Sequence, residues 1–174
     1  RVRPLTTPFR LVLVEPEIPQ NTGNIARLSA ATQSPLHLCG RLGFRIDEKS
    51  VRRAGIDYWH LVQLQVHPSF HEFTLAHPSA RVLLFSANGS KSYTEAAFQP
   101  GDALVFGKES SGLPADLLAR YEAQTFGIPT AGAVRSLNLA SAAAIVLYEA
   151  LRQVGGLAHA ALEGDASDTQ DFVR

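Results

Sequence analysis

Short apolar runs alternate with amphipathic stretches along most of the chain. Phe9 to Val14 (FRLVLV) is the first run and predicts a strand that ends at Glu15-Pro16. Proline closes the strand and keeps the residue before it out of a right-handed helix. Asn21-Thr22-Gly23-Asn24 supplies cap residues ahead of Ile25, Ala26, Leu28 and Ala31, whose spacing is helical. Leu36 to Cys39 predicts a second buried strand, and Asp47 caps a short predicted helix carrying Lys49, Arg52 and Arg53. His60 to Val66 alternates as a strand does. Ser69-Phe70-His71-Glu72 has capping-box spacing for a helix to about Ala76. Arg81 to Ser86 (RVLLFS) is the clearest strand, closed by the turn pair Asn88-Gly89. Ser92 to Phe98 predicts a brief helix, Ala103 to Phe106 a strand, and Pro114 to Tyr121 a helix with proline in its first turn. Gln124 to Ile128 predicts a strand stopped by Pro129. A long helix is predicted from about Leu137 to Val154. It is apolar on nearly all sides, so one face is expected on the sheet and another on a second subunit.

Strands alternating with helices predict an α/β fold with a mostly parallel sheet and helices on both faces. Composition agrees: 174 residues fit one domain, and 45% hydrophobic against 18% charged residues build a full core and exclude bulk disorder. Lys+Arg and Asp+Glu are 16 each, so no global basic field advertises a nucleic-acid partner. A single cysteine, Cys39, excludes an internal disulfide framework and a cysteine-rich zinc site, and reads as a small buried residue. No apolar run approaches the roughly 20 residues of a membrane span. The opening Arg1-Val2-Arg3-Pro4 leads into no apolar core, so no secretory signal is read there, and the absence of methionine suggests a trimmed start. A soluble cytoplasmic protein is expected. His37, His60, His67, His71, His77 and His159 are scattered without metal-ligand spacing, so no metal is expected. The tail after Gly155 turns Gly/Ala-rich and then acidic, the composition of a mobile end.

Candidate chemistry lies at the strand ends, where open α/β sheets bind ligands. After the first strand comes Glu15-Pro16-Glu17-Ile18-Pro19-Gln20-Asn21-Thr22-Gly23-Asn24-Ile25-Ala26-Arg27, a rigid loop crowded with amides. Asn21 and Arg27, close to two helical turns apart, are both expected to point toward the same strand end. The bland alternative for Asn21 alone is a helix cap. Phe106-Gly107-Lys108-Glu109-Ser110-Ser111-Gly112-Leu113-Pro114 follows a strand, and its glycines allow close backbone approach. Its spacing matches neither the P-loop nor the dinucleotide fingerprint, and a carboxylate there repels phosphate. Ile128-Pro129-Thr130-Ala131-Gly132-Ala133-Val134-Arg135-Ser136-Leu137-Asn138 leads to the mouth of the last helix. Ser136 or Asn138 alone also reads as an N-cap.

These three segments in this order resemble the three motifs of the SPOUT class of S-adenosylmethionine-dependent RNA methyltransferases. The match covers about Phe9 to Gly155. EPEIPQNTGNIAR and KSVRRAGIDYW (Lys49 to Trp59) are similar to the signature of the minimal single-domain members that 2′-O-methylate the wobble nucleotide (C34/U34) of tRNA. The resemblance implies one methyltransferase domain over residues 9–155, with an N-terminal extension (1–8) and an acidic tail (156–174). It also implies a C-terminal trefoil knot, a rare exception among chain topologies. S-adenosyl-L-methionine is expected against Phe85, Ser86, Gly107, Ile128, Ser136, Leu137 and Asn138. Arg27 is the residue the resemblance marks for proton abstraction, although a guanidinium stays protonated and is also suited to holding phosphate and stabilising alkoxide charge. Asn21, Glu109, Ser136 and Asn138 are its implied polar partners, with Glu109 orienting Arg27 or accepting a proton through water. The resemblance further implies a homodimer and a tRNA partner. Arg41, Lys49, Arg52 and Arg53 form the expected RNA-contact strip, since phosphate contacts need only local charge. Ala133-Val134 stands where wobble-specific relatives more often carry polar or acidic residues. The alternatives are 2′-O-methylation of another tRNA or ribosomal RNA nucleotide, and a non-catalytic RNA-binding protein on the same fold. A nucleotide-dependent oxidoreductase lacks its glycine fingerprint here.

Overall fold

The computed structural model describes residues 2–46 and 58–158. In chain order its elements are β1 (Arg10–Val14), α1 (Pro19–Thr32), β2 (Leu36–Cys39), β3 (Leu64–His67), α2 (Phe70–Ala76) and β4 (Val82–Phe85). They continue with β5 (Lys91–Ser92), β6 (Ala103–Phe106), α3 (Ala115–Arg120), β7 (Thr125–Gly127) and α4 (Leu139–Gln153). The strands form one sheet in the order β3-β2-β1-β6-β4-β7-β5, and every pairing is parallel. The α/β class with a parallel sheet is as the alternating pattern predicts.

Strand parity divides the core. Leu11 and Leu13 of β1, Leu36 and Leu38 of β2, and Leu104 and Phe106 of β6 face α1 and α4, meeting Ile25, Ala26, Ala143, Val146, Leu147 and Ala150. Val12, Val14, Cys39 and Val105 face the other way, toward Phe73 of α2, Leu117 of α3 and Leu113 just before it. Parallel strands are covered on both faces, so they read as unbroken apolar runs. Fully burying each such side chain contributes about 1.5–3 kcal/mol. Leu5 and Leu157 also pack on the α1–α4 side, so the core extends past the predicted 9–155 bounds into the predicted N-terminal extension and the start of the tail.

Local boundaries depart from the predictions where tertiary contacts intervene. The first helix begins at Pro19, not after Asn24, and Ile18 holds the N-cap position without a side-chain cap. Proline's fixed φ suits the first helical turn, which places Asn21 and Thr22 inside the helix. The predicted strand over His60 to Val66 is a 3₁₀ turn (Trp59–Leu61) followed by β3. Trp59, Val62 and Leu64 all pack toward the α1 side, and a tight turn delivers the first two there. The predicted helix over Ser92 to Phe98 is instead the edge strand β5 and a 3₁₀ turn, Tyr93–Glu95, closed by a Ser92–Glu95 capping box. The chain then unwinds to bury Ala96 and Phe98. Residues 47–57, which hold the predicted helix with Lys49, Arg52 and Arg53, and 159–174, which hold most of the acidic tail, lie outside the described residues. Among the described residues, no helix is long and apolar enough to cross a membrane.

Candidate functional site

β4, β6 and β7 end side by side, and the chain leaves each at its carboxyl end. The three exit loops enclose a cleft of about 1080 Å³. Close backbone packing makes this possible. A methyl group on Gly107 would sit 2.1 Å from the Gly112 carbonyl carbon and 2.3 Å from the Leu113 nitrogen. One on Gly89 would sit 2.2 Å from the Phe126 carbonyl carbon. Both glycines therefore serve approach of backbone to backbone. Phe85, Ser86, Gly107, Ile128, Ser136, Leu137 and Asn138 all line the cleft, and so do Asn21 and Glu109.

One wall is a chain of hydrogen bonds joining all three candidate segments. The Glu109 carboxylate accepts from the Glu17 backbone N–H at 2.7 Å, the Ile18 backbone N–H at 3.1 Å and the Asn21 Nδ2 at 3.0 Å. It sits at the start of α1, where the helix dipole favours negative charge. Asn21 Oδ1 then accepts from Asn138 Nδ2 at 2.8 Å. Asn138 Oδ1 accepts from the Ala140 and Ser141 N–H groups, so Asn138 caps α4 and fixes Asn21 with the same side chain. In the reverse direction, Ser110 N–H donates to the Glu17 carboxylate at 3.0 Å. Hydrogen bonds from Ser110, followed by the Lys108 charge, hold the Glu17 carboxyl below its ordinary range. Glu17 and Ser110 were not among the predicted site residues; the only signal was an acidic residue held between Pro16 and Pro19.

Glu109 thus already accepts three of the roughly four hydrogen bonds a carboxylate can take. Among the described contacts it serves Glu17, Ile18 and Asn21, and the expected orientation of Arg27 by Glu109 is absent. The expectation that Asn21 and Arg27 point to the same strand end also fails. Six residues at about 100° each leave two side chains roughly 120° apart around a helix. Arg27 instead lies on the exposed face of α1, its guanidinium carbon 5.3 Å from the Tyr58 ring centroid. Tyr58 in turn donates to the Gly23 carbonyl at 3.4 Å. Arg27 borders a second hollow, of about 520 Å³, together with Leu28, Ala31, Ala144 and Ser141. Asn138 lines both hollows and is the bridge between them. Arg41 is exposed just beyond β2, while Lys49, Arg52 and Arg53 fall outside the described residues. Lys91, Lys108 and Arg135 also line the cleft; sequence reasoning passed over these cations because none stands in a charge run.

Comparison with known proteins gives a consistent set of likenesses. The model of the SpoU rRNA Methylase family matches residues 8–148. A tRNA (cytidine(34)-2'-O)-methyltransferase of Burkholderia ambifaria is 45% identical over 150 residues, covering 84% of this chain and 96% of that protein. A solved structure described as giving structural insights into the 2-OH methylation of C/U34 on tRNA is 52% identical, with TM-score 0.79, covering 85% of this chain and 97% of the other. An AdoMet-bound rRNA methyltransferase from Sinorhizobium meliloti is 26% identical, with TM-score 0.72, covering 88% of this chain and 59% of that one.

Proposed function

The chain belongs to the SpoU rRNA methylase family, and on that basis we propose that it transfers a methyl group from S-adenosyl-L-methionine to the ribose 2′-hydroxyl of the wobble nucleotide, C34 or U34, of tRNA. The observation that carries the reading is the Glu109–Asn21–Asn138 wall, which fastens the three motif segments around one cleft. The cleft fits the methyl donor. It is large enough for a ligand of that size, lies beyond the carboxyl ends of parallel strands, and is lined by loop residues 86–90, 107–112 and 127–130. Phe85, Ser86, Gly107, Ile128, Ser136, Leu137 and Asn138 are the residues that would hold it. When bound, it supplies a methyl carbon already activated by the sulfonium charge.

The protein's part is alignment and management of charge. Holding oxygen and carbon in line can contribute up to about 7–11 kcal/mol. A ribose placed over Asn138 would meet the cleft on one side and Arg27 on the other. A guanidinium offers only donors, so the role of Arg27 here is to hold the substrate phosphate and stabilise negative charge as the hydroxyl loses its proton. Arg27→Ala is expected to lower the methyl-transfer rate by about 10²–10³. Calorimetry should show unchanged affinity for the donor. Near-normal turnover would remove Arg27 from the reaction.

The same reading includes a homodimer, a cytoplasmic location and the trefoil knot. The dimer is supported by Ile145 and Tyr148 of α4, which are 36% and 48% exposed. The knot is supported by the close approach of the Gly89 backbone, in the loop after β4, to Phe126 and Gly127 of β7. It also assigns Arg41, Lys49, Arg52 and Arg53 to tRNA phosphates. Arg52→Ala/Arg53→Ala should weaken tRNA binding and flatten its salt dependence by roughly 1.4–1.8 log–log units, the loss of two phosphate contacts. An unchanged slope would move the RNA path elsewhere. The deciding experiment is methylation of total tRNA with labelled donor, followed by mapping of the modified nucleotide. Modification at position 34 is expected, and modification of any other nucleotide would replace this reading with its closest alternative.

A further inference from the structure

His37 and His67 lie on neighbouring strands, on the face of the sheet away from α1 and α4. The β2–β3 register sets Cys39 opposite His67, and His37 is two residues before Cys39 on the same face. α2 covers this face through Phe73, and its C-cap residue is His77. Three histidines spread over 40 residues of sequence thereby meet. His37 Nδ1 and His67 Nε2 are 3.0 Å apart, and the His37 ring packs edge-on against His77 with centroids 4.8 Å apart. One ring nitrogen from each of the three lies within 4.8 Å of the others.

A hydrogen-bonded histidine pair is the simplest account of two of these rings, and it leaves something over. His37 is 1% exposed, and its Nε2 has no hydrogen-bond partner among the described residues. A buried imidazole can use one nitrogen as donor and the other as acceptor. Whichever tautomer the His37–His67 contact selects, the second His37 nitrogen is unused. The contact with His67 is made by His37 Nδ1, so an ion replacing that hydrogen bond would be held by Nδ1, with Nε2 carrying the ring proton.

We propose that His37, His67 and His77 form a binding site for a divalent transition-metal ion, of which Zn²⁺ is the expected occupant. The donor set decides the class of ion. Three neutral imidazoles suit zinc, nickel or copper and do not suit calcium or magnesium, which take oxygen. Metal–nitrogen bonds of about 2.0–2.1 Å place neighbouring ligand atoms roughly 3.0–3.4 Å apart. The His37–His67 separation of 3.0 Å already meets this. The widest separation, 4.8 Å, must close by roughly 1.5 Å. His77 can supply that movement, because it is half-buried and ends a seven-residue helix. Its Nε2 lies 3.3 Å from the Gln65 Oε1.

The rings are also in the protonation state a metal needs. Burial first, then the neighbouring His77, His67 and Arg10, push His37 down to about 3. Burial lowers His67 as well, against the opposing Glu72 carboxylate, and lowers His77 with help from Arg10 and His67. Neutral imidazoles bind without first releasing a proton. An ion here would fasten α2 to the edge strand β3 and its neighbour β2. The site shares no residue with the methyl-transfer cleft, so it stands or falls independently of that reading.

The full chain, stripped with chelator and dialysed, is titrated with Zn²⁺ by calorimetry and followed by thermal unfolding. One ion per chain is expected, with Tm raised by about 5–10 °C at a hundredfold excess over Kd. His77→Ala, a change at a half-exposed helix end, should lower affinity at least tenfold with an unchanged circular dichroism spectrum. Co²⁺ should give a visible absorption band in the native chain that His77→Ala loses. The same comparison with His67→Gln controls for binding by His60, His71 and His159. Absence of uptake overturns the proposal. So does uptake that both variants retain, or electron density with only water beside His37 Nδ1 and His67 Nε2 after Zn²⁺ soaking.

Discussion

Gly107→Ala is expected to cost about 3 kcal/mol of stability and at least a hundredfold in S-adenosyl-L-methionine affinity. Its new methyl group would fall 2.1 Å from the Gly112 carbonyl carbon, 2.3 Å from the Leu113 nitrogen and 2.5 Å from the Gly112 oxygen. All three are backbone atoms, so no side-chain rotation relieves the overlap. The loop from 107 to 113 would have to open, and its mouth is the cleft itself. Two other glycines separate causes. Gly112 has φ of +72° with nothing within 4 Å of an added carbon, so Gly112→Ala should cost only the roughly 1–2 kcal/mol of a left-handed alanine. Gly132 has open space and an ordinary φ, so Gly132→Ala should be silent. Denaturant unfolding and donor calorimetry on the three variants test this order. A Gly107→Ala chain as stable as Gly132→Ala would show that the 107–113 loop does not close on itself this tightly.

Glu109→Ala should lower methyl transfer by about 10²–10³, and the reason is positional. The change strands the Glu17 and Ile18 N–H groups and the Asn21 amide, all of which aim at one carboxylate. Asn21 then no longer holds Asn138 against both hollows. Glu109→Gln keeps the shape but turns an NH₂ toward at least one of those donors, an expected cost of about 1–3 kcal/mol. Its loss of turnover should be smaller than that of alanine. Kinetics distinguish positioning from simple destabilisation: kcat should fall by a larger factor than KM for the donor rises, at a temperature where unfolding is negligible. Asn21→Ala combined with Glu109→Ala should be no worse than Glu109→Ala alone, because the two groups act as a unit. Additive losses would mean that the carboxylate and the amide work separately.

Much of this site was readable as a set of residues. Phe85, Ser86, Gly107, Ile128, Ser136, Leu137 and Asn138 follow strands whose apolar runs were plain, and all reach the cleft. Buried strands advertise themselves, and the chain must leave a parallel sheet at its carboxyl end. Roles were harder to read. Glu109 looked available to a proton or to Arg27, yet its lone pairs serve the start of α1 from 91 and 92 residues away in sequence. Arg27 looked like a neighbour of Asn21, yet the helical step turns it away toward Tyr58. The predicted strand at His60 became a 3₁₀ turn because Trp59 and Val62 answer to the core rather than to alternation.

By itself, then, the amino-acid order determined the α/β class, the strands of the sheet's centre, and which loops carry amides, glycines and carboxylates. Those follow from periodicity and backbone preference, which act over a few residues. The tertiary structure alone decided which groups meet. Asn138 reaches Asn21 across 117 residues, and His37, His67 and His77 converge through strand register. Register and loop crossing are set by how whole layers pack, and a shift of one residue would send every side chain of a strand to the opposite face. No local window of sequence contains that information.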